Sequence, residues 1–331
     1  MSPPLSLLDA DPVPAPAAPL AEALHTMLRD GDLDVPLPGH GATARRWAAF
    51  ARWGRGDLVL ARLAEGHADA VAILCECDAG PAPGAVYGVW AARPGGHGAR
   101  LMRCGDRWRL DGTVRFCSGA HLLDRALVVA DAEDGTRIVD VALAGPGFRP
   151  CPAVWAAPGM AASDTADVVF DSHVVAAGAV IGGPGRYLDR PGFWWGGAGV
   201  AAVWLGGAAG ILDDLLAAAP SGAHRLAHVG ALHAHVQAVD ALLARTAAAI
   251  DRDPAHDHRT EVATARAAAE QACRVVLDRA PVAAGVAALT GSPTLARRLA
   301  DLQVYVRQHH GEADLERAGC LVSGDAGGRP A

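Results

Sequence analysis

Two neighbouring histidines and a glutamate lie near the end of the chain, in the run Arg307-Gln-His-His-Gly-Glu312. A histidine with its ordinary pKa of about 6.5 can take up a proton near neutral pH, and a glutamate is another common proton acceptor. His309, His310 and Glu312 are therefore candidate catalytic residues. The same run also suits a solvated helix terminus that Gly311 caps, with the imidazoles against the last carbonyls.

Six further histidines between residues 224 and 258 are of a residue type that can bind a metal ion. Four of them lie on a helix-forming stretch, at positions His224, His228, His233 and His235. Residues four apart share one helix face, but no carboxylate or cysteine joins them at a recognised ligand spacing, and no HExxH motif is present. We therefore predict solvated helix histidines and no metal site. His256 and His258 are predicted to lie in an exposed linker between helices.

The composition excludes several classes of protein. The 331 residues include 29 basic side chains, all of them arginine, and 36 acidic ones, which gives a net charge of -7. Without lysine there is no Walker A phosphate loop, no lysine Schiff base and no lysine nucleophile. The acidic balance and the lack of basic runs argue against nucleic-acid binding. The absence of a Gly-x-Ser-x-Gly motif argues against a serine hydrolase.

The cysteines and the apolar runs indicate in which cellular compartment the protein is expected. The seven cysteines are an odd number at irregular spacing, so we expect no disulfide framework and predict a reducing cytoplasm. The N-terminal run lacks a basic start followed by an apolar stretch, which indicates neither a secretory signal nor a membrane anchor. The longest apolar stretch, residues 196–212, contains six glycines and is too short for a predicted membrane span.

Changes in composition and in the spacing of apolar residues divide the chain into three parts, which together predict an α+β fold. After a Pro/Ala-rich leader, apolar residues at helical spacing predict an N-terminal helical domain over residues 1–84. Short runs rich in Val, Ile, Trp and Phe predict a central antiparallel β domain over residues 85–190, with hairpin turns at Asp111-Gly112 and Asp134-Gly135. Long helical periodicity over residues 191–331 predicts a C-terminal four-helix bundle.

Prolines in the C-terminal part mark where helices are expected to begin. A proline in the first turn of a helix loses no hydrogen bond and has its backbone angle preset for the helix. Pro281 and Pro293 therefore predict separate helices over residues 280–289 and 293–308, after one over residues 258–279.

Four motifs follow one another along the chain. They are Trp108-Arg-Leu-Asp-Gly-Thr-Val-Arg-Phe-Cys-Ser-Gly-Ala120, Gly159-Met-Ala-Ala-Ser-Asp-Thr165 followed by Val168-Val-Phe-Asp171, the stretch Val200–Leu215, and Ala296-Arg-Arg-Leu-Ala-Asp-Leu-Gln-Val-Tyr305. In residue type, order and spacing they resemble segments of the acyl-CoA dehydrogenase superfamily of flavoproteins. The resemblance implies that family's architecture of N-terminal helices, a central β domain and a C-terminal bundle that carries the oligomer interface.

The resemblance also implies an FAD between the β domain and the bundle, and a homodimer or homotetramer. Ser118 matches the hydroxyl residue that hydrogen-bonds the flavin near N5, a role that suits a group able to donate and accept. Phe116 matches the aromatic that packs against the ring, and Gly119 a residue that lets the backbone approach closely. The implied cofactor-binding residues are Trp90, Phe116, Cys117, Ser118, Gly119 and Arg225. Without the resemblance, Ser118 is typical of a β-turn serine.

The catalytic positions of the family are altered in this chain. Family dehydrogenases remove a proton from the carbon next to the thioester carbonyl with a glutamate. Alignment without gaps puts His309 at the usual glutamate position, and Gly199 or Val200 at the alternative one. Flavin monooxygenases of the same superfamily carry a histidine in this region, where it is thought to assist oxygen chemistry. A longer loop would bring Glu312 to the same place.

The segments that hold the cofactor differ as well. Residues 92–99 stand in place of the family's Thr-Glu-Pro-x-x-Gly-Ser-Asp, and residues 220–230 lack the Arg-x-x-Phe-Gly clamp for the FAD diphosphate. Arg225 is the candidate substitute, because a guanidinium binds phosphate through two parallel hydrogen bonds. The N-terminal helical domain is also shorter than in the family, which argues against an ordinary fatty acyl-CoA as substrate.

Three functional hypotheses follow. The first is an FAD-dependent oxidoreductase that abstracts a proton next to a carbonyl or thioester while hydride passes to flavin N5, with an electron-transfer partner or oxygen as acceptor. The second is a flavin-dependent monooxygenase of the same superfamily. The third is a catalytically degenerate homologue that acts as a partner subunit, which the missing glutamate and the missing diphosphate clamp favour.

Overall fold

The fold is seen in a computed structural model that describes residues 6–16, 18–96, 98–152 and 154–324. Helices come first, an eight-stranded sheet follows, and helices complete the described chain. The predicted α+β class and the predicted order of the three parts are confirmed. Part of the predicted leader, residues 1–5, lies outside the described residues, as does His97 in the segment 92–99.

Three helices form the N-terminal part: α1 (Leu20–Asp30), α2 (Thr43–Gly56) and α3 (Leu58–Glu76). The side chain of Asp57 caps α3 by accepting hydrogen bonds from the backbone N–H groups of Val59 and Leu60, both at 2.9 Å. Helix α3 is buried along most of its length, because helices and one strand pack around it. The polar side chains of Glu65 and His67 on α3 are therefore held in a low-dielectric interior.

The strands are β1 (Tyr87–Trp90), β2 (Arg100–Cys104), β3 (Arg107–Cys117), β4 (Arg125–Ala132), β5 (Gly135–Ala142), β6 (Phe148–Pro150), β7 (Ala166–Val175) and β8 (Val180–Ile181). They lie in the order β6-β7-β3-β2-β4-β5-β8, and β1 also pairs with β4. Most neighbours are antiparallel, as predicted, and β4 adds parallel pairing with β1 and β2. Strand β1 belongs to the sheet and packs against helix α3.

One of the two predicted hairpin turns is correct. Asp134 lies in the tight turn from β4 to β5, and Gly135 begins β5. The prediction for Asp111-Gly112 is wrong, because both residues lie inside β3, where the register with β7 shifts in a bulge. The carboxylate of Asp111 accepts a hydrogen bond from the backbone N–H of Ser172 on β7 at 2.6 Å, so it supports the bulge instead of a turn.

The C-terminal helices are α4 (Arg186–Asp189), α5 (Gly192–Ala217), α6 (Ala223–Arg252), α7 (Arg259–Gly291), α8 (Pro293–Tyr305) and α9 (Glu312–Ser323). Pro293 begins α8 as predicted, after the cap residue Ser292. The predicted helix start at Pro281 is wrong, because α7 continues past it and is interrupted only at Gly285, where φ is 75°. Pro281 removes one helical hydrogen bond, and packing before and after the interruption at Gly285 holds the helix together.

Helix α5 forms the centre of the molecule. It is long and apolar enough to cross a membrane, and 78% of its most apolar window is buried inside the protein. A Cβ added at Gly206 would overlap the carbonyl oxygen of Ala51 on α2, and one at Gly54 of α2 would overlap that of Val203 on α5. The two helix backbones therefore touch, and the glycines that weaken the sequence as a membrane span make this crossing possible.

His67 of α3 is buried beneath β1, where its Nδ1 accepts a hydrogen bond from the backbone N–H of Tyr87 at 3.1 Å. Burial lowers the pKa of His67 to about 4. The unfolded chain takes up this proton near pH 6.5 and the folded chain only near pH 4, so stability is lost as the pH falls through that window. In urea denaturation, we expect this residue to lower the free energy of unfolding by about 3 kcal/mol between pH 7 and pH 4.

A His67→Gln variant provides the comparison. Its amide oxygen can accept the same hydrogen bond from Tyr87, and the side chain does not titrate. The free energy of unfolding of this variant should change less over the same pH range. Equal pH dependence of the two proteins would assign the acid sensitivity to other groups.

Candidate functional site

A partly open cavity of about 290 Å³ lies where α3, β1, α5, α7 and the segment before α9 meet. This volume is at the small end of the range for ligand sites, roughly 300–1,000 Å³. Its wall carries arginine, glutamate, aspartate and histidine side chains beside aromatic ones. The cavity therefore suits a small polar molecule better than a fatty acyl chain.

Two carboxyl groups from α3 lie on the cavity wall, one helical turn apart. Glu65 accepts hydrogen bonds from the Arg62 guanidinium and the Tyr305 hydroxyl, both at 3.1 Å, while Asp69 accepts one from Arg46 at 2.8 Å. Desolvation raises the pKa of Glu65 to about 7; Arg62 opposes this shift and the nearby Asp69 adds to it. Glu65 can therefore gain or lose a proton near neutral pH.

Aromatic side chains from α4 and α5 form the opposite wall. Tyr187 packs edge-on against Phe193 at 5.5 Å between ring centroids, and Phe193 packs likewise against Trp194 at 5.8 Å. Arg190 lies among them and donates a hydrogen bond to Glu76 at 2.8 Å, while its Nε is buried without a partner among the described residues. This wall gives a ligand an apolar aromatic surface, and it also holds a buried donor without a partner among the described residues.

His309 enters the cavity from the segment between α8 and α9. Its side chain is buried, and its Nδ1 has no hydrogen-bond partner in the described part of the chain. Burial lowers the pKa of His309, so the imidazole is neutral at pH 7 and can accept a hydrogen bond or a proton. An unpaired buried nitrogen is costly in a folded protein, and a ligand in the cavity could satisfy it.

The segment that carries His309 is fixed by a buried ion pair. Arg266 of α7 donates hydrogen bonds to the carbonyl oxygens of Gly197 and Gln308 and lies 3.8 Å from the Asp314 carboxylate on α9. Asp314 also accepts a hydrogen bond from the backbone N–H of His310 at 3.2 Å. These contacts join α5, α7 and α9 around the cavity and set the position of the imidazole.

The other two predicted catalytic residues lie farther out. The His310 side chain is 74% exposed and stands at the cavity mouth, with Nδ1 3.6 Å from the Asp314 carboxylate. Glu312 is exposed in the first turn of α9 and does not line the cavity. The structure therefore brings His309 and His310 to one site and leaves Glu312 outside it. At the alternative position of the family glutamate, Val200 lines the cavity.

The predicted cofactor residues Phe116, Cys117, Ser118 and Gly119 lie together at the end of β3. Thr165 donates a hydrogen bond to the Ser118 hydroxyl at 3.1 Å, and no acceptor for the Ser118 proton is found among the described residues. Phe116 is 51% exposed, whereas Cys117 is buried with its thiol on the Val114 carbonyl. Gly119 has a φ of 70°, and a Cβ there would lie 2.7 Å from Leu123, so only glycine suits this close approach.

The cofactor residues and the cavity meet at β1 but do not form one site. The indole of Trp90 donates a hydrogen bond to the Ser118 carbonyl at 3.1 Å, while its neighbour Val89 lines the cavity from the other face of the strand. Arg225 lies near the start of α6, where its guanidinium approaches Gly285 of α7. His309 lines the cavity, whereas Ser118 and Arg225 are not among its lining residues.

Known structures share this architecture at low sequence identity. TdsC from Paenibacillus sp. A11-2, a dibenzothiophene monooxygenase solved with FMN and indole, matches with a TM-score of 0.74 and 18% identity, over 92% of this chain and 94% of TdsC. A glutaryl-CoA dehydrogenase from Mycobacterium smegmatis in complex with FADH2 matches with a TM-score of 0.76 and 16% identity, over 94% of this chain and 95% of that one. The chain has the acyl-CoA dehydrogenase fold.

The same fold is found in KijD3, solved with FMN and dTDP-3-amino-2,3,6-trideoxy-4-keto-3-methyl-D-glucose. It matches with a TM-score of 0.76 and 20% identity, over 98% of each chain. No protein-family model and no curated protein sequence matches the chain. The resemblance carried by the four motifs is thus confirmed for the acyl-CoA dehydrogenase fold, across enzymes of differing chemistry.

Sequence reasoning missed the carboxyl pair of the cavity. Glu65 and Asp69 are four apart on α3, in a helix whose other positions are largely apolar. A glutamate on the buried face of such a helix indicates a functional or paired carboxyl group, because burying a carboxylate costs free energy unless a partner compensates it. Its partner Tyr305 is 240 residues away, a contact that spacing cannot predict.

Proposed function

We propose that this protein is a flavin-dependent oxidoreductase that acts on a small polar molecule bound in the 290 Å³ cavity. The observation that carries the proposal is that the same cavity is lined by His309, whose Nδ1 has no partner among the described residues, and by a buried Glu65 whose pKa is about 7. Such groups are the usual agents of proton transfer at neutral pH. The fold supports the redox part, because the three structures compared above hold FMN or FADH2.

The residues at the end of β3 fit the edge of a flavin in two respects. Ser118 has a proton to donate, and Phe116 presents an exposed aromatic surface on which a ring can stack. A flavin bound there would supply the two-electron chemistry that amino-acid side chains lack, and its ring would have to extend from Ser118 past β1 to the cavity, where it can touch the substrate. FAD needs a further site for its adenylate, and Arg225 is the sole arginine of the segment 220–230, so we favour FMN.

Within the cavity, this chain's own residues would bind the substrate and receive its proton. We propose Glu65 as the proton acceptor, with His309 as the second group able to take that role. Arg190 and the aromatic wall of Phe193 and Trp194 would orient the substrate. The charged lining makes a long acyl thioester a poor candidate.

A monooxygenase is the second candidate. His309 lies in the region where the flavin monooxygenases of this superfamily carry a histidine, and the likeness to TdsC supports the same reading. Oxygen dependence separates the two reactions. A dehydrogenase should bleach the flavin under nitrogen when substrate is added, whereas a monooxygenase should form product only with reduced flavin and oxygen.

The first experiment is reconstitution of the purified protein with FMN or FAD, followed by visible absorption and chromatography of the flavin released on denaturation. We expect stoichiometric uptake, with FMN bound more tightly. Small amines, amino sugars and carbonyl compounds, with butyryl-CoA for comparison, are then screened for flavin bleaching or oxygen-dependent product. A preparation that takes up neither flavin would overturn the proposal and favour a partner subunit without catalysis.

A further inference from the structure

The connection between α6 and α7 carries a compact group of metal-ligating side chains outside the cavity. The ligating atoms of His256, His258 and Glu261 all lie within 4.8 Å of one another. The imidazoles of His256 and His258 meet edge to face, with 4.8 Å between ring centroids. His256 is exposed, but His258 is 4% exposed, so the prediction of an exposed linker is wrong for this residue.

The hydrogen bond made by His258 fixes which of its nitrogens is free. Its Nε2 lies 2.8 Å from the carbonyl oxygen of Asp253. A carbonyl can only accept, so Nε2 carries the hydrogen and Nδ1 keeps a lone pair. That Nδ1 is buried without a hydrogen-bond partner among the described residues, and the Glu261 carboxylate lies 4.0 Å away. In the neutral ring, the Nδ1 lone pair and the Glu261 carboxylate thus face each other across a gap.

The hydrogen bond from His258 to the Asp253 carbonyl is of the kind that orients a metal-binding histidine. Metal-binding histidines usually donate their other N–H to a carbonyl or carboxylate, which orients the ring and holds the ligating nitrogen deprotonated. The Asp253 carbonyl does this for His258. Ligand atoms in a tetrahedral zinc site lie about 3.4 Å apart, as bonds of about 2.0–2.1 Å require. The exposed His256 can close the remaining distance by side-chain rotation, as can Glu261, whose side chain is 42% exposed.

We propose that His256, the Nδ1 of His258 and Glu261 bind one divalent transition-metal ion of the zinc class, with water completing the coordination. Two imidazoles and one carboxylate form a ligand set that such ions favour over Mg²⁺ or Ca²⁺. The ion would join the end of α6 to the first turn of α7. Its expected effect is to stabilise the bundle, independently of any flavin or substrate.

The test uses full-length protein stripped with EDTA and titrated with Zn²⁺ by calorimetry and thermal denaturation. We expect one Zn²⁺ per chain and a rise in melting temperature of roughly 4 °C at saturating metal. His256→Ala and Glu261→Gln should each weaken binding by at least tenfold, and both change side chains that solvent reaches. His233→Ala, on an exposed part of α6, is the matched control and should bind as the unaltered protein does.

The cysteines need a control of their own, because thiols also bind zinc. A Cys75→Ser/Cys77→Ser variant should keep its zinc affinity, and Co²⁺ bound to the unaltered protein should show tetrahedral absorption bands without thiolate charge transfer. Zinc affinity that survives both His256→Ala and Glu261→Gln, or that is lost with the two cysteines, would overturn the proposal. So would the absence of any melting-temperature shift.

Discussion

Replacing Glu65 by glutamine is expected to lower the rate of substrate oxidation by about 100-fold or more, the usual contribution of a positioned proton acceptor. The amide keeps the shape of the side chain and an oxygen that can accept the hydrogen bond from Tyr305, but it cannot take up a proton. The measurement is kcat/KM of the flavin-loaded protein, with whichever small polar compound bleaches the flavin or consumes oxygen fastest.

The pH dependence separates Glu65 from His309 as the acceptor. A base works only when deprotonated, so a pKa of about 7 for Glu65 predicts that kcat/KM rises with pH up to about 7 and is level above it. This rise should disappear in Glu65→Gln. If the activity instead rises at a pH below about 6.5 and that rise is lost only in His309→Asn, the role belongs to the histidine, whose pKa burial lowers.

Glu312→Gln is the matched control for the same chemical change. Glu312 is exposed and lies outside the cavity, so this variant should keep the full activity and pH profile of the unaltered protein. A loss as large as that of Glu65→Gln would return the catalytic role to the glutamate that the sequence predicts.

Replacing Gly206 by alanine is expected to lower the free energy of unfolding by about 3 kcal/mol, the upper part of the usual range for overpacking a core. The added methyl group would overlap the carbonyl oxygen of Ala51 and lie 2.9 Å from the backbone nitrogen of Arg55, both on α2. Neither backbone atom can move without displacing its helix. Urea denaturation followed by circular dichroism measures the change.

Gly230→Ala tests whether the effect comes from contact or from helix propensity. Gly230 is an exposed residue inside α6, and a Cβ there would meet no atom within 4 Å. Alanine is favoured over glycine in a helix by about 1 kcal/mol, so this variant should be as stable as the original protein or more stable. Similar destabilisation of both variants would contradict the close crossing of α2 and α5.

The architecture could be predicted from the sequence because its signals are local. Helical and strand periodicity, punctuated by glycine and proline, indicates the order of elements, and four short motifs identify the fold. Predictions from local sequence were wrong where tertiary packing overrides the local preference. Asp111-Gly112 is typical of a hairpin turn, yet a neighbouring strand holds it in a bulge, and Pro281 is typical of a helix start, yet α7 runs through it.

The site was less predictable because distant residues build it. His309 was found by aligning the chain with a motif of the family it resembles, and it does line the cavity. The importance of Glu65 depends on burial and on Tyr305, which only the folded chain brings together. The cofactor residues follow a local motif, but the way Trp90 separates Ser118 from the cavity is a property of how β1 packs.

The position of α5 has a consequence for how the protein is made. Helix α5 has 26 residues and is apolar enough for a lipid environment. Its apolar surface stays exposed to water until α2 and the later bundle helices pack around it. While it is exposed, capture by another chain or by a bilayer competes with native assembly. We therefore expect the packing of α2 on α5 to be the step that decides whether a newly synthesised chain folds or aggregates.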